Sequence, residues 1–425
     1  YLTLFIQSVL EGGFIKNYYY SLYFIFPIIG VWLVYLIKKN FIKKEIGHGI
    51  STTLYSISKR SGIIERYKMF ASLIVAPITV GFGGSVGLQG PAVSTGAALG
   101  SNVASMFHMN AKTRMLLIGC ATAGAMSSMF KAPVAAIVFA VEIFSLDLVF
   151  ASLVPLLLAS IAAVITSYFF RGTDVLFSFE LLDAWRVKDI VFYVLLGLAT
   201  GIASVYFSKM YFLITRFFSR FSNAYIMIGI AAIAIGLMLY LFPPLYGEGY
   251  GLINNLLNGE TEAALNGIQY QIDFNNVWIV IAILLIIAVF KAIAMTTTFA
   301  AGGVGGIFIP TLFMGSALGN SVAKVINQFG FEVSEANFTL IGMTGLMAGV
   351  LHAPLTAIFL IAEITGGYDL FVPLMLVATI SFGFTKYFVP NSIYTAELAK
   401  RGELITNDKD KNALMMLNID RVIET

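Results

Sequence analysis

Apolar residues dominate this chain in runs broken by short polar or glycine-rich gaps. The runs fall at 18–37, 67–82, 92–109, 115–129, 133–144, 148–169, 189–218, 224–243, 277–300, 307–328, 338–351, 354–366 and 370–389. Several are shorter than the roughly 20 residues an α-helix needs to cross the hydrocarbon core. Short apolar segments punctuated by glycine predict tilted or half-spanning helices that meet inside the bilayer. Backbone that leaves the helix at that depth survives only where protein buries it or it lines a cavity. The pattern therefore predicts an all-α polytopic integral membrane protein built from tilted and broken helices.

The punctuation repeats. Gly83-Gly84-Ser85-Val86-Gly87-Leu88-Gln89-Gly90-Pro91 matches Gly302-Gly303-Val304-Gly305-Gly306-Ile307-Phe308-Ile309-Pro310 at an offset of 219 residues. After each proline, glycine returns at the fifth and ninth positions, as Gly96 and Gly100 and as Gly315 and Gly319. A second element, Lys131-Ala132-Pro133 with Glu142, matches His352-Ala353-Pro354 with Glu363 at an offset of 221. Two gapless matches at nearly one offset mark a duplicated architecture. In membrane chains, paired Gly/Pro interruptions in corresponding halves point to a site between inverted repeats.

Charge sets the boundaries between these halves. A first repeat with N-terminal helices occupies 1–170, a charged segment 171–188, a second repeat 189–389, a C-terminal helix carrying Tyr394 390–405, and a cytoplasmic tail or linker 406–425. Arg171, Asp174, Glu180, Asp183, Arg186 and Lys188 gather in the central break, and a second polar loop at 246–276 contains Glu248, Glu260 and Glu262.

Composition agrees with a membrane protein. Of 425 residues, 58% are hydrophobic and only 12% charged, and the mean hydropathy is +0.86, whereas soluble domains carry about 25% charged residues. A net charge of +3 gives no sign of a nucleic-acid partner. Lys38, Lys39, Lys43 and Lys44 follow the first long apolar run, so the positive-inside rule puts that loop in the cytoplasm; Lys400-Arg401 suggests the same side for the C-terminus. This predicts a multi-pass protein of the plasma (inner) membrane. Cys120 is the single cysteine, which excludes an intrachain disulfide and supports no metal centre. No signal peptide is legible, and a start at Tyr1 reads as a trimmed terminus.

The glycine-rich turns have a direct chemical reading. A helix that begins at Ile307 or Phe308 presents unpaired N–H groups and about +0.5 charge at its start. Gly305 and Gly306, like Gly87 in the first copy, let backbone approach closely, and Pro310 and Pro91 fit the first helical turn. Helix starts aimed at the membrane centre from both halves make an anion site without a cationic side chain. The plainer alternative, close packing of helices through small residues, accounts for a single such motif. It does not account for the full pattern recurring at one offset.

Here the residues resemble a known family. Gly305-Gly306-Ile307-Phe308-Ile309-Pro310, Gly87-Leu88-Gln89-Gly90-Pro91, the paired Ala-Pro elements with Glu142 and Glu363, and Ser392-Ile393-Tyr394 together look like the CLC chloride channels and transporters, over about residues 20–405. The resemblance implies an anion held by the N–H groups of Ile307 and Phe308, with Gln89 and Gly90 at the outer position and the Tyr394 hydroxyl on the cytoplasmic side. It also implies a homodimer in the bilayer with one pore per subunit, and no cofactor beyond the transported chloride. Taken alone, Tyr394 reads as an interfacial aromatic.

Three departures from the family bear on mechanism. Gln89 stands where the family has a gating, proton-shuttling glutamate. A carboxylate about 4 Å from an anion repels it by about 4 kcal/mol at an effective dielectric near 20; glutamine keeps the shape but cannot titrate. Ile143 stands where the exchangers of the family carry an inner proton acceptor. The symmetry of Glu142 and Glu363 suggests that they cap or tether backbone. Finally, His48 stands where the family has an anion-binding serine, and its pKa near 6.5 suggests an anion site that responds to internal pH; its plainer reading is a loop histidine beside a lysine-rich interface. With both family acids gone, the expected function is a passive chloride channel or uniporter. The alternative is a proton-coupled antiporter that uses another acid.

A remote alternative from another class is an intramembrane serine protease, because Gly83-Gly84-Ser85-Val86-Gly87 satisfies the G-x-S-x-G pattern. Its base would have to come from His48, His108 or His352, and His352 has a lysine as its repeat partner. The tail, residues 413–425 (ALMMLNIDRVIET), resembles the linker that enters a cystathionine-β-synthase-type module in many family members; either the protein ends here or such a module follows outside this sequence.

Overall fold

The structure is a computed structural model, and it describes residues 2–11, 19–44, 46–47, 49–145, 150–172, 176–177, 185–268, 270 and 272–401. His48, much of the 171–188 segment and the tail from 402 lie outside the described residues. The first half holds α1 (Leu2–Glu11), α2 (Tyr19–Ile37), α3 (Ile50–Lys59), α4 (Lys68–Gly81), α5 (Gln89–Met106), α6 (Ala111–Phe130), α7 (Pro133–Phe144) and α8 (Phe150–Arg171). The second holds α9 (Ile190–Phe218), α10 (Ala224–Leu241), α11 (Tyr250–Leu257), α12 (Thr261–Ala264), α13 (Val277–Ala300), α14 (Phe308–Gln328), α15 (Glu335–Leu351), α16 (Pro354–Ile364), α17 (Phe371–Phe388) and α18 (Ala396–Lys400). Among the described residues there is no β-strand, only an isolated antiparallel pairing of Gly87 with Gly306.

Among the described residues, six helical stretches are long and apolar enough to span a membrane, and four apolar helices of 10–17 residues, α4, α7, α15 and α16, are too short to do so alone. This is the mixture of full and partial spans that the interrupted apolar runs predict. At the C-terminal end, where 402–405 lie outside the described residues, α18 covers Ala396–Lys400, and Tyr394 sits in the turn before it.

The duplication has a structural counterpart. Helices α4–α8 correspond to α13–α17, and α5 packs on α6 as α14 packs on α15. The repeated glycines lie at those two contacts. A Cβ on Gly100 would lie 2.4 Å from the Leu117 carbonyl oxygen, and one on Gly319 would lie 2.1 Å from that of Phe338. Glycine is required there because the helices touch backbone to backbone.

Contacts between the halves are reciprocal, as a two-fold relation demands. Thr298 Oγ1 accepts from the Ser85 N–H at 3.2 Å, and Thr79 Oγ1 accepts from the Val304 N–H at 3.1 Å. The Glu142 carboxylate, on α7, accepts from the N–H groups of Leu355 and Thr356 at the start of α16 (3.1 and 2.8 Å) and from the Thr356 hydroxyl (2.6 Å). Glu363, on α16, accepts from Val134 and Ala135 at the start of α7 (3.0 and 2.8 Å). Each acid thus caps the opposite repeat's helix, satisfying N–H groups that no intrahelical acceptor reaches.

Candidate functional site

The two glycine-rich turns meet at the centre of the fold. Gly87 and Gly306 pair through both backbone groups, and a Cβ on Gly90 would come within 2.8 Å of Gly306 Cα. The start of α3 reaches the same point, since a Cβ on Gly49 would lie 3.1 Å from the Gly90 carbonyl oxygen. Three helices, α3, α5 and α14, therefore begin around one small volume. The residue before α5, Leu88, and the residue before α14, Ile307, offer no side-chain cap to their helices. Glycine at 90 and 306 permits this approach because a side chain there would enter the neighbouring backbone; at 305 it would enter Val86, and at 87 the side chains of Gln89 and Ile309.

The surroundings are apolar. Ile307, Phe308 and Ile309 are buried, and the Phe308 ring packs against Phe130 (centroids 5.3 Å apart) and Phe139 (6.5 Å). In so apolar a setting, N–H groups at helix starts keep their full attraction for a negative ion. Tyr394 is also buried, and among the described residues its hydroxyl has no hydrogen-bond partner. A buried hydroxyl without a partner costs free energy unless something outside the protein supplies one. Ile143 packs within the core on α7.

Gln89 has partners that sequence reasoning did not identify. Its Nε2 donates to the Tyr250 hydroxyl at 2.7 Å and to Glu248 Oε1 at 3.3 Å. The same Glu248 oxygen accepts from the Leu88 N–H at 3.0 Å, so a carboxylate from the 242–249 loop rests on the start of α5. That loop is anchored by Lys291, a fully buried lysine on α13, whose Nζ donates to the carbonyls of Gly247 (3.0 Å) and Leu245 (3.4 Å) and lies 4.6 Å from the Phe313 ring centre. Glu248, Tyr250 and Lys291 were missed because none of them lies within the repeated motif, and their approach to Gln89 is made only in space. The one local signal was Gly247-Glu248-Gly249, a carboxylate flanked by two glycines.

Among the described residues the protease arrangement is not present. Ser85 is buried and its hydroxyl donates to the Leu245 carbonyl at 2.6 Å, while His352 packs its ring against Phe382. Lys131 and His352 hold matching left-handed turns between helices, with φ of 55° and 56°.

Reciprocal helical repeats around a shared cluster of helix starts define a membrane transport protein of the CLC type. The family model for the voltage gated chloride channel matches residues 29–386, and the chain belongs to that family, whose members carry anions across membranes. It is 26% identical over 365 residues to a putative chloride channel protein, ClcB-like, of Ralstonia nicotianae, covering 83% of this chain and 80% of that one. It is 27% identical over 328 residues to the H(+)/Cl(-) exchange transporter ClcA of Vibrio cholerae, covering 74% of this chain and 66% of that one. The fold is shared with a slow cyanobacterial Cl-/H+ antiporter (TM-score 0.77, 19% identity, 94% of this chain and 92% of that one). It is shared as well with a CLC-type fluoride/proton antiporter (TM-score 0.71, 23% identity, 92% and 91%).

Proposed function

We propose that this protein carries chloride, or an anion of similar size, passively down its gradient. The observation that carries this reading is the chemistry at position 89. Gln89 stands at the start of α5, held by Tyr250 and Glu248, and cannot bind or release a proton in the working pH range. The anion would lie against the N–H groups of Ile307 and Phe308, with the Tyr394 hydroxyl donating from the cytoplasmic side and Gly90 and Gln89 bounding the outer position. His48, next to the start of α3, would add an inner donor.

The second reading, proton-coupled exchange, draws on the printed functions of the Vibrio relative and of the structural neighbours. A coupled exchanger needs a second proton-binding group on the inner route. Ile143 offers none, and Glu142 and Glu363 are committed to capping helix starts. Passive transport therefore fits these residues better. The assembly we propose is a homodimer through the apolar faces of α7, α8, α16 and α17, in the plasma (inner) membrane, with the Lys38–Lys44 loop and the C-terminus in the cytoplasm.

Reconstituted liposomes test this directly. Under a chloride gradient and no ionophore, chloride efflux should stall until valinomycin and potassium relieve the charge, with no uphill movement of protons. Sustained proton pumping driven by chloride would overturn the passive reading.

A further inference from the structure

Glu248 holds a position that an anion would otherwise occupy. Its Oε1 accepts from the Leu88 N–H at 3.0 Å, at the positive end of α5. Gly247 and Gly249 flank it with φ of 58° and 85°, a left-handed pair that folds the loop sharply and turns the acid towards the helix. The other groups facing it are Gln89 on α5, Tyr250 on α11 and the Lys291 ammonium on α13. Arg171 at the end of α8, Tyr23 on α2 and Tyr246 line the same cavity. That cavity, about 550 Å³ and bounded also by Val80 and Leu88, gives Glu248 a route to solvent.

We propose that Glu248 is a titratable outer plug of the anion pathway, closed when ionised and released when protonated. The acid absent at position 89 is thereby replaced by one from a different segment, which reaches the same helix start beside Gln89. This rests on the anion-pathway reading above and adds a gate to it. Ionised, Glu248 competes with an anion for the α5 amides; protonated, it loses its charge and yields them. Protonation also turns it into a donor, and Gln89 Oε1 is buried without a partner, ready to accept once the amide turns over. Gly87 makes room for that amide, since a Cβ there would lie 2.4 Å from Gln89 Oε1.

The sign of the pH dependence follows. Glu248 lies in a loop outside the spanning helices, and its burial raises the carboxyl above the usual carboxylate range, against the Leu88 N–H, the Gln89 amide and Lys291, which act in the opposite sense. Flux should therefore rise as the pH on the cavity side falls. With a single acid and no inner relay, protons gate the pathway without being carried through it.

The experiment is chloride efflux from liposomes containing the full chain, with pH varied on one side at a time from 4 to 8. Wild type is expected to gain roughly tenfold in flux towards acid from one side only. Glu248→Gln, which keeps an oxygen acceptor for Leu88, is expected to be fast and flat with pH. Glu248→Asp, which keeps the charge but shortens its reach, is expected to retain a pH response with higher flux at neutral pH. A pH response that survives in Glu248→Gln, or a flat wild-type profile with flux present, overturns the plug while leaving the pathway standing. Should Glu248→Gln fail to fold, the Glu248→Asp profile decides, and a curve identical to wild type sinks the idea. Absence of chloride flux from every folded protein at every pH overturns the pathway itself, and the plug with it.

Discussion

Gly87 and Gly306 exchange two backbone hydrogen bonds across the centre of the molecule, Gly87 N–H to the Gly306 carbonyl at 3.0 Å and the reverse at 2.6 Å. This pairing clamps the two repeats together at the point where α5 and α14 start. It depends on Gly306 and Gly90, whose backbones come too close to leave room for a Cβ on either.

Gly306→Ala should therefore be severe. Its Cβ would lie 2.6 Å from the Gly90 backbone nitrogen, and backbone cannot rotate aside as a side chain can. Overpacking of this kind costs about 1–3 kcal/mol, and both folding yield and anion flux should drop. Gly229→Ala, inside α10 where a Cβ meets nothing within 4 Å, is the control and should leave stability unchanged or raise it by up to about 1 kcal/mol. Thermal unfolding in detergent, followed by tryptophan fluorescence, distinguishes them; equal midpoints for the two variants would contradict the clamp.

Tyr394→Phe should separate function from stability. The hydroxyl is buried and unpartnered, so its removal relieves a desolvation cost and leaves the melting temperature unchanged or slightly raised. Anion binding should weaken by roughly 10- to 150-fold, the worth of one hydrogen bond of about 1.5–3 kcal/mol to a charged group. Isothermal titration with chloride reads the affinity; unchanged affinity would remove Tyr394 from the site.

The crossed caps of Glu142 and Glu363 predict a structural pair. Glu142→Ala leaves the Leu355 and Thr356 N–H groups without their acceptor, and Glu363→Ala does the same for Val134 and Ala135. Each should cost about 1–3 kcal/mol in detergent unfolding, with chloride selectivity intact. A variant of either that kept full stability but lost flux would show that these acids act on the ion instead.

Gln89→Glu places a second carboxyl beside Glu248, with the present Nε2 position 3.3 Å from Oε1. Two carboxyls that close share one proton more readily than they both ionise, so one of them titrates at a raised pH. The activating pH branch should move towards neutral, and flux in the fully ionised state should fall below wild type. A pH profile superimposable on wild type would mean that the two side chains do not share a proton.

Much of this protein is legible in its linear pattern. Interrupted apolar runs, the offsets of 219 and 221, and the Gly/Pro turns determine a duplicated helical membrane protein and mark the residues around Gly87 and Gly306 as its centre. They do so because helix periodicity, bilayer thickness and the steric demands of glycine act locally. The pairing of Glu142 with α16 and of Glu363 with α7 is foreshadowed by their symmetry but made only in space. What the tertiary structure alone decided is the company kept by Gln89. Glu248 approaches from 159 residues away along the chain, brought in by a loop that Lys291 anchors from a third helix. No local pattern encodes such a meeting, because the hydrogen bond between Leu88 and Glu248 exists only once four separate segments have packed around one helix start.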